Sequence, residues 1–135
     1  MSGLLKVSEA ASLALHSMAF VAGRKERVSI KEIANTLCIS ENHLHKVCQR
    51  LAKFGLINAT RGPHGGLTLG KPANEISLLQ IYEIIEKPLD NNYCLLGREG
   101  CGHQFCILGA MVENVSKQVK EYLENTTLDK IALRL

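Results

Sequence analysis

Three cysteines and one histidine stand close together in the segment DNNYCLLGREGCGHQFC, residues 90–106. Six residues separate Cys94 from Cys101, four separate Cys101 from Cys106, and His103 lies between the last two cysteines. Thiolates bind iron in iron–sulfur clusters, and three thiolates with one imidazole also suit tetrahedral zinc. The segment has three glycines and no hydrophobic periodicity, so it is predicted to be a loop. Glycines let a chain wrap around a cluster, which favours iron–sulfur, while zinc and free redox thiols stay open.

The cysteine count and the hydropathy of the chain limit its class. The chain has 135 residues, of which 46% are hydrophobic, enough for one domain with a sizeable core. Its N-terminus lacks the basic start and apolar block of a signal peptide, and no apolar run is long enough for a membrane span. Five cysteines are an odd number in such a chain, which disfavours a disulfide framework. We therefore expect a cytoplasmic protein without membrane association.

Positive charge is concentrated in the first half of the chain. Residues 1–72 carry ten Lys and Arg against four Asp and Glu, whereas residues 73–135 carry six against nine. Phosphate neutralisation by Lys and Arg supplies most non-specific affinity for nucleic acid, so the first half is predicted to bind a polyanion. Aromatic residues make up 4% of the chain and tryptophan is absent, which disfavours base stacking on single strands.

Residues 29–55 carry the pattern of a helix-turn-helix motif. Ser29 and Glu32 predict a capping box at the start of a short helix with apolar residues at helical spacing. A tight turn is predicted at residues 38–40, where Ser40 caps the next helix and an acid follows in its first turn. The two helices would therefore meet at a sharp angle.

The helix that starts at Ser40 and ends before Gly55 has two distinct faces. Hydrophobic residues at the i, i+3, i+4, i+7 spacing are predicted to face the core: Leu44, Val47, Cys48 and Leu51. The opposite face is polar and basic, without an acid: Asn42, His45, Lys46, Gln49 and Lys53. Such a face suits the reading of base edges in the major groove of DNA. Cys38, in the turn, and Cys48 occupy inward positions, so both are predicted to be buried structural thiols.

A short hairpin is predicted directly after the helix-turn-helix. Two β-compatible runs, residues 56–61 and 67–69, flank the sequence GPHGG at residues 62–66. A hairpin in this position is a wing. Arg61 and His64 stand at its tip, where a cationic side chain can enter a narrow minor groove.

Further helices complete the predicted fold. Residues 8–22 predict a first helix capped by Ser8 and apolar on most faces, which other elements or another chain must bury. Ser77 is predicted to cap a fourth helix that Pro88 ends. Beyond the cysteine segment, an apolar stripe extends over about four helical turns. Pairing with a second copy in a two-fold dimer is the favoured explanation, and packing on its own chain is the alternative. The stripe comprises Leu108, Met111, Val112, Val115, Val119, Tyr122 and Leu123.

These elements predict a mainly α-helical fold with a small β-hairpin wing and a long dimerisation helix. We divide the chain into a winged helix-turn-helix DNA-binding domain (1–73), a connecting helix (74–92), a cysteine segment (93–107) and a dimerisation helix with its tail (108–135). The sequence has no paired catalytic carboxylates, nucleophile elbow or phosphate-binding loop, so we expect no enzymatic activity.

Five short motifs stand in a characteristic order: SIKEIA at Ser29–Ala34, IS at Ile39–Ser40, LAKFGLI at Leu51–Ile57, RGPHGG at Arg61–Gly66 and EISL at Glu75–Leu78. With these motifs and its three-cysteine segment, the chain resembles the Rrf2 family of bacterial winged helix-turn-helix transcription regulators over essentially its whole length. The resemblance implies a homodimer that binds a palindromic double-stranded DNA operator as a repressor. It also implies a 2Fe–2S or 4Fe–4S cluster, held by the three cysteines, that senses iron–sulfur, redox or nitric oxide status.

Two positions depart from the family pattern and bear on the fourth ligand of such a cluster. Gly109 stands where the IscR-like branch has a histidine, and Ser12 stands where the NsrR-like branch offers an acid. His16, Glu9 and His103 are therefore the candidates, in that order, with His16 contributed by the partner chain. The alternative for His16 is a histidine satisfied within the core.

The sequence thus predicts two sets of site residues and one alternative function. The expected DNA contacts are Ser29, Ser40, Asn42, His43, His45, Lys46, Arg50, Arg61 and His64. The expected metal ligands are Cys94, Cys101, Cys106 and His16. The alternative is a zinc-stabilised interaction protein that binds no specific operator.

Overall fold

The computed structural model describes residues 7–89, 107–108 and 110–132. In chain order these residues form α1 (Glu9–Ala22), α2 (Ile30–Leu37), α3 (Glu41–Lys53), β1 (Ile57–Thr60), β2 (Gly66–Leu69), a 3₁₀ turn (Ala73–Glu75), α4 (Leu78–Ile85), α5 (Met111–Asn125) and α6 (Leu128–Ile131). The predicted mainly α-helical fold with a two-stranded wing is confirmed. None of the helices in these ranges combines the length and apolar character that a bilayer crossing requires.

Helix α1 is the central helix of the fold. The Ser8 hydroxyl accepts a hydrogen bond from the Ala11 N–H at 3.1 Å, which satisfies one of the orphan donors at the helix start. Eight of its residues are buried, among them Met18 and Phe20, and the helix packs against α3, α4, α6 and β2. The prediction of a Ser8-capped helix buried on most faces is confirmed.

Helix α2 begins with half of the predicted capping box. The Ser29 hydroxyl accepts from the Glu32 N–H at 3.0 Å, as predicted. The Glu32 carboxylate, however, lies 3.4 Å from the Arg24 guanidinium instead of returning to the N-cap. Arg24 also sits 5.0 Å from the ring centroid of Phe20, so this side chain joins the end of α1 to the start of α2.

The turn between α2 and α3 corrects one prediction. Cys38 has φ 55° and ψ 48°, a left-handed conformation, and the Ile39 N–H closes the turn on the Ala34 carbonyl at 3.0 Å. The Cys38 side chain is exposed, so the prediction of a buried thiol is wrong. Helical periodicity places this position inward, but the left-handed backbone redirects the Cα–Cβ bond toward solvent.

Helix α3 follows its predicted pattern. The four residues predicted to face the core are all buried: Leu44, Val47, Cys48 and Leu51. At the end of the helix, the Gly55 N–H donates to Ala52 at 3.0 Å and the Leu56 N–H donates to Leu51 at 3.1 Å. This is a Schellman motif, and it requires the positive φ of 79° that Gly55 adopts.

The wing, residues 57–69, is an antiparallel hairpin. Its register runs from Ile57 opposite Leu69 to Thr60 opposite Gly66. On the other edge of β2, Val28 exchanges two backbone hydrogen bonds with Leu67, at 3.1 and 2.7 Å. The sequence did not indicate this bridge, which attaches the wing to the segment before α2.

The C-terminal part of the chain packs against the core of the winged region, residues 8–70. The Leu78 N–H donates to Thr126 at 2.9 Å, and the Leu128 N–H donates to Ile76 at 3.0 Å. Leu128 is completely buried in the main hydrophobic cluster. At the start of α4, Ser77 and Gln80 form a reciprocal capping box, which confirms Ser77 as the cap. The division at residue 108 stays a prediction.

Helix α5 differs from the other long helices. It starts at Met111, three residues later than its apolar stripe predicts, because Leu108 lies in the preceding turn. Within Met111–Asn125 no residue is buried, and Met111, Val115 and Tyr122 are 52%, 46% and 60% exposed. The helix contacts α4, and Leu123 packs against the core from one side.

Candidate nucleic-acid interface

The outward face of α3 is open to solvent along its length. The residues predicted to form it are all exposed: Asn42, His45, Lys46, Gln49 and Lys53. Because the inward residues of the same helix pack in the core, these side chains are held on a rigid element rather than on a loop. The arrangement presents hydrogen-bond donors and two cations on a convex rod that matches the width of a DNA major groove.

A groove of about 550 Å³ separates α3 from the wing. Its lining brings together Ser29 from the start of α2, His45 and Gln49 from α3, and Arg61 from the wing. Three of the predicted DNA contacts therefore converge from three different elements. In winged proteins one sugar–phosphate strand passes between the helix in the major groove and the wing in the minor groove, so a groove here is what DNA binding needs.

Glu41 is an acid on this surface that the sequence pattern did not assign to it. Its side chain is 51% exposed, lines the groove, and lies 3.9 Å from His45 Nε2 one turn along α3. The prediction of an outward face without an acid is therefore wrong, because Glu41 lies one helical turn before His45 and shares its face. A carboxylate in the first turn also complements the positive end of the helix dipole.

His43 and Ser40 lie at the start of α3 but face different partners. The Ser40 hydroxyl accepts from the His43 N–H at 3.3 Å and caps the helix. The imidazole Nδ1 of His43 lies 3.7 Å from the Glu9 carboxylate on α1, and its side chain is 34% exposed. His43 is thus turned toward α1, away from the groove residues.

Arg50 lies apart from the groove between α3 and the wing. It is exposed and lines a second concave surface with Phe54, Lys71 and Lys87. Phe54, at the C-cap of α3, is 55% exposed there. The structure therefore does not bring Arg50 together with Arg61, although both are among the predicted DNA contacts.

The wing tip carries Arg61 and His64 and is held by a residue that sequence reasoning missed. Both side chains are exposed. Arg27 Nη1 donates to the His64 carbonyl oxygen at 3.2 Å. The basic run RKER before α2 was the available signal, but a hydrogen bond across 37 residues leaves no trace in local periodicity.

The candidate metal ligands are divided between the described and undescribed parts of the chain. Cys94, Cys101, Cys106 and His103 lie outside the described residues. Within the described ranges, no group of three or more His, Cys, Asp or Glu is placed to hold a metal ion. His16 is exposed on α1, so the alternative interpretation of this residue as a histidine satisfied within the core is wrong.

The imidazole of His16 has a defined orientation. Its Nδ1 lies 2.7 Å from the Ser12 carbonyl oxygen, one turn earlier in α1. A carbonyl oxygen only accepts hydrogen bonds, so Nδ1 is the donor in this contact and Nε2 is the ring nitrogen that it leaves available.

A helix-turn-helix with an exposed basic helix face and a wing defines a winged-helix DNA-binding protein. A family model described as Rrf2, iron-dependent transcriptional regulator, matches residues 7–134. The HTH-type transcriptional regulator IscR of Pectobacterium carotovorum subsp. carotovorum (strain PC1) is 33% identical, covering 96% of this chain and 75% of that protein.

Two solved structures resemble the chain over nearly its full length. CymR, the global cysteine regulator of B. subtilis, has a TM-score of 0.81 and 28% identity, covering 96% of this chain and 97% of that one. IscR of T. potens has a TM-score of 0.72 and 27% identity, covering 93% and 85%. The chain belongs to the Rrf2 family of DNA-binding transcription regulators.

Proposed function

We propose that this regulator is a repressor that places α3 in the major groove of an operator and the wing in the adjacent minor groove. The observation that carries the proposal is the groove between α3 and the wing, with His45 on one wall and Arg61 on the other. In this arrangement Asn42, His45 and Lys46 read base edges, and Arg61 enters the minor groove. The remaining predicted contacts are to phosphates: Ser29, Ser40 and His64 near the groove, and His43 and Arg50, which lie apart from it, farther along the DNA.

The test is selection of an operator from random DNA followed by affinity measurements. Arg61→Ala should weaken specific binding about 10- to 100-fold, because an inserted cation supplies both charge and readout. Lys120→Ala removes the same charge from α5 and should change affinity less than about twofold. Unchanged affinity and footprint for Arg61→Ala would contradict the wing assignment. Transcription from a promoter with that operator should fall when protein is added, and a rise would identify an activator.

The regulator acts as a homodimer paired through α5. Support comes from the exposed apolar face of Met111, Val115 and Tyr122 on a helix without buried residues. A contiguous apolar surface that the described part of its own chain leaves open is typical of a protein interface. A two-fold pair would set two α3 helices about 34 Å apart, one turn of DNA, and would account for a palindromic operator.

Sedimentation at micromolar concentration tests the dimer. Val115→Asp should yield a folded monomer, because an unpaired carboxylate would be buried between the two helices. Glu124→Ala is the matched control, since Glu124 is exposed on the opposite side of α5 and should leave the dimer intact. A monomeric wild-type protein would overturn this part of the proposal.

Cys94, Cys101 and Cys106 are proposed to hold an iron–sulfur cluster, which would supply a group sensitive to redox state and nitric oxide. The donor set of three thiolates fits iron, and the matching family is described as iron-dependent. His16 of the partner chain is the proposed fourth ligand. Its Nδ1–H is held by the Ser12 carbonyl, which leaves Nε2 as the ligating nitrogen, the arrangement common among metal-bound histidines.

The cysteine segment joins α4 to α5 along the chain. A change in its ligation would therefore alter the position of the winged region relative to α5 and shift the population that is able to span two half-sites. Operator affinity is the expected readout.

Anaerobic purification with iron, sulfide and zinc analysis separates the two candidate groups. A brown protein with visible absorption supports the cluster, while a colourless protein with stoichiometric zinc and no operator preference supports the interaction protein. Cys94→Ala, Cys101→Ala and Cys106→Ala should each lose the spectrum, whereas Cys38→Ala, the exposed thiol elsewhere in the chain, should keep it. An unchanged spectrum in His16→Ala would remove the partner-chain ligand.

A further inference from the structure

Arg27 lies at the point where the wing meets the rest of the domain. It precedes Val28, whose backbone pairs with Leu67 on the free edge of β2. From this position the guanidinium reaches the tip of the hairpin, where Nη1 donates to the His64 carbonyl at 3.2 Å. The side chain therefore reaches from the free edge of β2 to the turn at the tip of the wing.

The lack of a side chain at Gly66 leaves space for Arg27, and a hydrogen-bonded turn fixes the carbonyl that Arg27 binds. A Cβ at Gly66 would lie 3.2 Å from the Arg27 Cβ and 3.0 Å from the Val28 carbonyl oxygen, so the glycine leaves room for the arginine stem. At the tip, the Gly65 N–H donates to Gly62 at 2.9 Å and closes the turn that contains His64. The carbonyl that Arg27 binds is thus part of a closed turn, and holding it fixes the direction of the whole tip.

Arg61 stands at the same tip, directly before this closed turn. A two-stranded hairpin of four residue pairs has little core of its own, and its orientation depends on contacts with the body of the domain. A cation that must enter a narrow groove is sensitive to displacements of about an ångström. Fixing the tip therefore fixes where the Arg61 guanidinium can reach.

This inference rests on the proposed operator binding. We propose that Arg27 is a positioning residue for the wing. Arg27 acts on operator specificity through Arg61 and not by its own contact with DNA. Arg27 is exposed and cationic, so the competing explanation is a direct phosphate contact. The two explanations differ in whether the effect of Arg27 depends on Arg61.

A double-mutant cycle on the wild-type-selected operator distinguishes them. Arg27→Met should weaken specific binding about tenfold, equivalent to about 1.4 kcal/mol. In an Arg61→Ala background the same change should cost less than about twofold. Arg27→Lys keeps the charge and one donor, and should recover most of the affinity. Equal losses in both backgrounds, or no loss in either, would overturn the proposal.

Lys25→Met is the matched control. Lys25 is exposed two residues earlier, so the variant removes the same charge without touching the hydrogen bond to His64. Its effect should be the same in both backgrounds. Hydrogen exchange at residues 62–66 in free protein should speed up in Arg27→Met and not in Lys25→Met. A wild-type protein that selects no sequence would overturn the operator-binding proposal and this inference with it, whereas selective binding with equal losses overturns the inference alone.

Discussion

The winged region, residues 8–70, and helix α5 use their apolar residues in opposite ways. In the winged region the helices carry apolar residues at helical spacing, and those on α3 are all buried against α1, α4 and β1. In α5 the spacing is equally regular, yet no residue of Met111–Asn125 is buried. Hydrophobic periodicity therefore identifies a face in both regions, but within the described residues only the face in the winged region is fully covered.

This difference separates the contacts that stabilise the folded chain from the surface that stays available to a partner. The short α6 that follows α5 contributes Leu128 to the core, so the chain passes from a helix without buried residues to one anchored by a fully buried leucine. At the C-terminal end of α5, the Ser77–Thr127 bridge attaches the chain to the start of α4, while the Val115 face of the helix stays exposed. A helix anchored at this end loses less freedom on pairing than an unattached helix would, which lowers the entropic cost of association.

The sharpest test of the contrast compares one core residue with one residue of the α5 face. Leu128→Ala should lower the free energy of unfolding by about 2–5 kcal/mol, because it leaves a cavity in the core. Met111→Ala should change it by less than about 0.5 kcal/mol. Both are measured by urea unfolding in the monomeric Val115→Asp background, so that dimerisation does not contribute. Equal losses in the free energy of unfolding for the two variants would contradict the contrast between the buried Leu128 and the exposed Met111.

Backbone packing in the wing gives a second, smaller contrast. A Cβ at Gly65 would overlap the Thr60 carbonyl oxygen, so Gly65→Ala must displace the tip of the hairpin. We expect a loss of about 1–3 kcal/mol and weaker operator binding. Asn114→Ala, on the exposed surface of α5, should leave both quantities unchanged. Wild-type stability and affinity in Gly65→Ala would mean that the wing tolerates the added methyl group.

Cys38 and Cys48 show the same contrast between an exposed and a buried side chain within the winged region. Burial raises the pKa of the Cys48 thiol from 9.0 to about 11. The unfolded chain ionises this thiol at lower pH than the native protein does, so stability falls as pH rises between those values. The expected loss is about 1 kcal/mol at pH 10 relative to pH 8. Urea unfolding of Cys48→Ala should show a pH dependence shallower by that amount, and parallel slopes would contradict the assignment.

Substitution of Cys38 should have the smallest effect on stability, and this effect should be a gain. Its left-handed backbone costs energy for any residue with a Cβ, so Cys38→Gly should raise stability by about 1 kcal/mol. Cys38→Ala keeps the Cβ and should give no such gain, which makes it the control. Thermal unfolding of the two variants provides the measurement, and a gain in both would point to the thiol rather than the backbone.

The sequence by itself determined the local elements of this protein. Serines at Ser8, Ser40 and Ser77 begin helices because their hydroxyls satisfy N–H groups that every helix start leaves unpaired. The spacing of Leu44 and Leu51 predicts the buried face of α3, and with it the exposed face that carries His45. These features depend on residues within about one or two helical turns of one another, which a linear pattern contains.

Only the tertiary structure decided how those elements are joined and which faces are covered. It exposes Cys38, which periodicity places inward, and it brings Leu128 into a core built more than forty residues earlier. It also sets Arg27 against the His64 carbonyl and His43 against Glu9, contacts between segments far apart in the chain. Such contacts depend on the relative placement of whole elements, and because each involves a single pair of residues, no repeating pattern in the sequence records them.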